Sequence, residues 1–214
     1  MNIDLRVKNI VLVGQFPAQD FDKYFFIKNK IVDEGDIGPL SVFNAIGGCQ
    51  LNTNSFQVVI QPNQIIVTDL VPKENKTNIA KIAEAIVLAA QLINITAMGF
   101  NFHWYAIDDS KRIEDLSKEL FYNNNAKLLT NYFNTDDSRY GLYASVNFKN
   151  ARLKLDIKPS TILEVGAPKP LDLISFVFNF HFDLTHDSSG MIFESFTDYE
   201  LYQNQSKTII SIYQ

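Results

Sequence analysis

The chain has 214 residues, of which 46% are hydrophobic and 13% aromatic, enough apolar material for one sizeable core and too much for a disordered chain. A formal net charge of −5 argues against a general nucleic-acid binder, and a single cysteine excludes an intramolecular disulfide or a cysteine-rich zinc site. No apolar run reaches the roughly 18 residues of a membrane span, and Asp4, Arg6 and Lys8 interrupt the start where a secretion signal needs apolar residues, so a cytoplasmic protein without a membrane partner is expected.

The first predicted strand, residues 5–15, carries Ile10-Val11-Leu12-Val13 and reads as covered on both faces. Asp20 is placed to cap a helix over residues 21–32. Gly35, Gly38-Pro39, Gly47-Gly48 and Asn52-Thr53-Asn54 then mark a long loop over residues 33–54, with a helical turn at 40–46, and loops of this length often carry function. Cys49 falls in it and reads as an inert thiol; the acidic stretch Asp33-Glu34-Gly35-Asp36 lacks the ligand spacing of a calcium loop.

Residues 56–61 and 64–70 form a hairpin turned at Pro62-Asn63. Asn75 or Thr77 caps the helix that follows, in which Ile79, Ile82, Ala83, Ile86, Val87, Ala90 and Ile93 recur at helical spacing. After a strand over 97–105, Asp108-Asp109-Ser110 caps a helix through Ile113, Leu116, Leu120 and Phe121, and a shorter helix runs through Leu128, Leu129, Tyr132 and Phe133. A second hairpin, 140–148 with 151–158, sets Leu142, Ala144, Val146 and Phe148 against Leu153, Leu155 and Ile157. Residues 159–172, rich in proline, read as a connection; then come a strand over 175–185 and one C-terminal helix from Ser188 or Ser189, with Ile192, Phe193, Phe196, Tyr199, Ile209 and Ile212 on its apolar stripe.

The two long aromatic strands decide the architecture. Phe100, Phe102 and Trp104 alternate with Asn101, His103 and Tyr105, and Phe176, Phe178, Phe180, Phe182 and Leu184 alternate with Asn179, His181, Asp183 and Thr185. That period places one stripe in a core and the other opposite it. The expectation is an α+β fold: a single large, mainly antiparallel sheet, helices packed on one face, and a polar opposite face. One domain spans 1–214, in two loosely similar halves of about 1–107 and 108–214.

No P-loop, Gly-x-Gly-x-x-Gly, Gly-x-Ser-x-Gly or His-Glu-x-x-His motif is present, so no cofactor is expected. Asn101, His103, Asn179, His181 and Asp183 form the candidate ligand or partner surface, which would unite if the two strands are neighbours. A competing reading gives His181, Asp183 and His186 to zinc, iron or manganese, or to acid–base chemistry, since positions two apart on a strand share a face. Tyr105, Tyr143, Tyr199 and Tyr202 read either as exposed aromatics suited to an interface or, for two or three of them, as the rim of the core. These features favour a non-catalytic binding or interaction protein that uses the polar sheet face or the 33–54 loop and takes a protein partner, a second copy or a small ligand. The alternatives are a metal-dependent or acid–base enzyme, and a subunit of a larger assembly.

Three places carry a resemblance: Phe56-Gln-Val-Val-Ile-Gln-Pro-Asn-Gln-Ile-Ile-Val, Met98-Gly-Phe-Asn-Phe, and Leu153-Lys-Leu-Asp-Ile followed by Phe180-His-Phe-Asp. With its order of elements, the chain resembles a sporadically distributed family of uncharacterised bacterial proteins, in which Asn101 takes the place of an arginine. The resemblance implies the architecture and a bacterial accessory role, and no mechanism.

Overall fold

The computed structural model describes all residues except 45, 46, 75, 92, 93, 164–167, 185–187 and 214, with only the backbone described at 18, 44, 188 and 189. Among these residues nine strands make one antiparallel sheet: β1 (Asn2–Gly14), β2 (Val42–Asn44), β3 (Gly48–Asn52), β4 (Phe56–Gln61), β5 (Gln64–Asp69), β6 (Ile95–Ile107), β7 (Leu142–Phe148), β8 (Ala151–Ile162) and β9 (Leu171–Asp183). Their order across the sheet is β2-β3-β4-β5-β1-β6-β9-β8-β7. The expected α+β architecture holds.

Among the described residues six helices accompany it: α1 (Lys23–Lys28), α2 (Ile79–Ala89), α3 (Ile113–Phe121), α4 (Lys127–Tyr132), α5 (Ser188–Thr197) and α6 (Tyr199–Ile210). Helix α2 packs on β1 and β5, α5 and α6 on β6, and α3 on β8 and β9, all on one face. The aromatic stripes lie beneath them. Tyr202 of α6 sets its ring edge-on to Phe100, Phe180 and Phe182 at centroid distances of 5.5, 5.2 and 5.3 Å, the T-shaped geometry that aromatic quadrupoles favour. Trp104 Nε1 donates to Ser206 Oγ at 3.2 Å, so the one indole in the core satisfies its polar atom on the same helix.

Several local expectations are corrected. Strand β1 is covered on one face only: Ile10 and Leu12 are buried while Val13 is 42% exposed. Helix α1 is shorter than expected, because Asp22, not Asp20, caps it, its carboxylate accepting from Phe25 N at 2.7 Å. The stretch 33–54 is not all loop: it contains β2 and β3, and Cys49 is buried on β3. Gly48 lets β3 start close against β4, with φ of +117° and an added Cβ only 2.4 Å from Ile60 O. Of the helical turn expected at 40–46, Val42–Asn44 are strand, and residues 45 and 46 lie outside the described residues.

Asn78 caps α2 through its side chain, in place of Thr77; Asn75, the other expected cap, and Ile93 lie outside the described residues. Asp108 does not cap α3; its carboxylate closes a turn by accepting from Ser110 N at 3.0 Å. Residues 159–172 carry more strand than expected, since β8 continues through Pro159 to Ile162. Strand β7 has already stopped at Leu142, opposite Ile157, so the proline sits where β8 has become an edge. The C-terminal helix is two helices, meeting at Asp198.

Candidate functional site

Register turns the polar stripes into a line. Asn52 stands opposite Gln57, Gln57 opposite Thr68, Thr68 opposite Asn9, Asn9 opposite Asn101, Asn101 opposite Asn179, Asn179 opposite Lys154, and Lys154 opposite Ser145. These side chains form one polar row across β3 to β7, on the face away from the helices. At about 4.8 Å between strands the row is on the order of 34 Å long.

Its centre is hydrogen-bonded. Asn179 Nδ2 donates to Asn101 Oδ1 at 2.7 Å, and Asn101 Nδ2 donates to Asn9 Oδ1 at 2.8 Å. All three amides are half-buried and share one direction, so each bond polarises the next. Among the described residues, Asn9 Nδ2 and Asn179 Oδ1 have no protein partner, which leaves a donor at one end of the ladder and an acceptor at the other. Further along the row, Gln57 Nε2 donates to Asn52 Oδ1 at 2.7 Å.

The next row divides in character. Val59, Ile66, Val11 and Gly99 run into His181, Arg152 and Asn147. An added Cβ on Gly99 would lie 3.2 Å from Asn179 Nδ2, so the missing side chain keeps a notch open beside the ladder. Arg152 is anchored by Ser145 Oγ at 2.6 Å and Asn147 Oδ1 at 2.9 Å. The open face is therefore aliphatic beside the ladder toward β4 and basic beside it toward β8.

The two long strands are neighbours, but their histidines are not. His103 stands opposite Val177 and His181 opposite Gly99, four positions apart along the strands, with the Asn101–Asn179 pair between them; at about 3.3 Å per residue that is roughly 13 Å. Burial, and then the Lys158 ammonium, hold the His103 imidazole below its ordinary value of 6.5. His181 and Asp183 share the open face, and His186 lies outside the described residues. Among the described residues no group of three or more His, Cys, Asp or Glu side chains is arranged to hold a metal. Burial, with Asp22 nearby, pushes the Cys49 thiol up to about 12, which disfavours its reactive thiolate.

Scanned against protein-family models and against curated proteins, the chain matches none. Geometry alone carries the functional reading.

Of the four tyrosines expected at the surface, Tyr143 is 65% exposed and Tyr105 half-buried, whereas Tyr199 and Tyr202 are core residues at 4% and 1%. Their apolar bodies answer the Phe stripes from α6. A second polar group lies hidden on the covered face. Lys8 Nζ sits 2.8 Å from Asp69 Oδ2, with both side chains at most 2% exposed, and Asp69 Oδ1 accepts from Val71 N at 2.9 Å. The Tyr199 hydroxyl is buried above them without a hydrogen bond among the described residues; burial, and then Asp69, hold it well above its ordinary value. Nothing in the local sequence announces this pair: Lys8 and Asp69 come together only because β1 lies beside β5. The signal available was Lys8 itself, a charge at an inward position of an otherwise apolar alternation.

Proposed function

We propose that this is a non-catalytic binding protein of a bacterial accessory system, cytoplasmic in location, that docks a protein partner across its open sheet face. The observation that carries the reading is the polar row: side chains from β3 to β7 aligned in register on a face no helix covers, with a polarised amide ladder at its centre. The half-buried donor and acceptor at the ladder ends match the hydrogen-bonding groups of a partner's surface, while Val11, Val59 and Ile66 supply apolar contact beside them.

The test is a footprint. Partner captured with the wild-type chain should protect backbone amides of β1, β6 and β9 from hydrogen exchange, and Asn179→Asp with Lys154→Glu should abolish capture while circular dichroism stays native. A partner whose footprint falls on the helical face instead would sink the reading. The enzyme alternative has its own test, metal analysis of the purified protein: stoichiometric zinc, iron or manganese that disappears in His181→Ala would replace the binding reading with a metal site.

A further inference from the structure

The two edges of the sheet are unlike. Strand β2 ends one side with three residues, Val42–Asn44. Strand β7 ends the other with seven, Leu-Tyr-Ala-Ser-Val-Asn-Phe, which contain no charge, proline or glycine. Natural sheets blunt their edges with short strands, charges, prolines or bulges, because an open edge is a row of unpaired N–H and C=O groups. One edge here is blunted and the other is not.

The side chains of β7 reinforce the difference. Its inward row continues the core of β8, with Leu142 opposite Ile157, Ala144 opposite Leu155 and Val146 opposite Leu153. On β8 those partners are 1%, 7% and 4% exposed, but Leu142 is 45% and Val146 57% exposed. Helix α3 covers β8 and β9 and leaves the β7 row open. Tyr143, on the other face, is 65% exposed.

We propose that a second copy of this chain pairs with this edge, β7 to β7, antiparallel about a two-fold axis at Ser145. The strand is self-complementary in that register. Leu142 meets Phe148, Ala144 meets Val146, Tyr143 meets Asn147 and Ser145 meets Ser145, so the apolar row stays on the helical side in both copies and a large side chain faces a smaller one at its centre. No like charges oppose each other within the strand. Outside it, Arg139 before the strand is paired with Glu114 at 2.8 Å and Lys149 after it with Asp198 at 2.9 Å, so the charges flanking the junction are compensated within each copy. The blunted β2 edge ends growth there: the pairing is isologous and closes at two copies, giving one sheet of twice nine strands.

The pairing is independent of what the open face binds, and its test reads assembly alone. Sedimentation velocity should show a dimer at micromolar concentration, converted to monomer by Val146→Asp and by Tyr143→Lys with circular dichroism unchanged. Ser145→Cys should form an intermolecular disulfide under mild oxidation, since a self-paired position brings two Cα atoms to about 5 Å, and the one native cysteine is buried. Asn147→Cys, paired with Tyr143, should not. A monomeric wild-type chain, a dimer untouched by Val146→Asp, a dimer in which Cys at 145 fails to cross-link, or a different protein seated on β7 would each overturn the proposal.

Discussion

The covered face and the open face of this sheet are built from the same strands, one residue out of phase, and they hold themselves together by different physics. On the covered face Phe100, Phe180 and Phe182 close around Tyr202, and the ion pair of Lys8 with Asp69 is sealed from water. On the open face the amides of Asn9, Asn101 and Asn179 bond to each other while remaining half-accessible. Burial makes every error on the first face expensive. The second tolerates substitution and so can be spent on recognition.

The largest break in that comparison should come from Lys8→Met. It strands the Asp69 carboxylate in the core and should cost about 3–5 kcal/mol in urea unfolding, whereas Lys8→Met with Asp69→Leu should recover most of the loss, because an apolar pair needs no charge compensation. A double variant as unstable as the single one would show that packing, not charge, is what Lys8 supplies.

Asn101→Ala removes both ladder bonds from the open face and should cost roughly 1–2 kcal/mol, at about 1 kcal/mol for each net hydrogen bond; a loss as large as that of Lys8→Met would erase the distinction between the faces.

His103 sharpens the comparison through pH. Its folded-state imidazole is held below the ordinary 6.5 by burial and by Lys158, so the unfolded chain takes up the proton first. Stability from this group is complete above the unfolded value and falls as pH drops from there toward the folded value. Thermal melts over that window should slope downward with acid in the wild type and less so in His103→Gln. The smallest effect belongs to Lys154→Ala, beyond the ladder, which should leave stability within about 0.5 kcal/mol while weakening capture of the partner.

Alternation made the faces legible from the amino-acid sequence. Phe176, Phe178, Phe180 and Phe182 could lie nowhere but under a helix layer, and Asn179 and His181 had to oppose them. Strand order was not legible. His103 and His181 looked like one cluster because their strands are alike, yet register sets them about 13 Å apart and puts Asn9, from a strand made much earlier, into the site. Short elements hid for a different reason: β2 and β3 lie among glycines and asparagines, where local propensity favours turns and pairing with β4 decides otherwise. Tyr202 is buried although its hydroxyl reads as a surface group, because most of a tyrosine is ring, whereas Tyr199 already falls on the apolar stripe of the C-terminal helix.

The place of β1 has a consequence for how the chain is made. Strand β1 lies inside the sheet, with β5 on one side and β6 on the other, although both are made after it. Its pairing with β6 reaches from Asn2 to Ile107, so β1 must wait until β6 has been made before both borders are sealed. The second half then joins through β9, which aligns with β6 as far as Ala97 opposite Asp183. Nascent chains halted before residue 95 should expose Ile10-Val11-Leu12 to holding chaperones, and release should follow completion of β6 rather than of the β4–β5 hairpin.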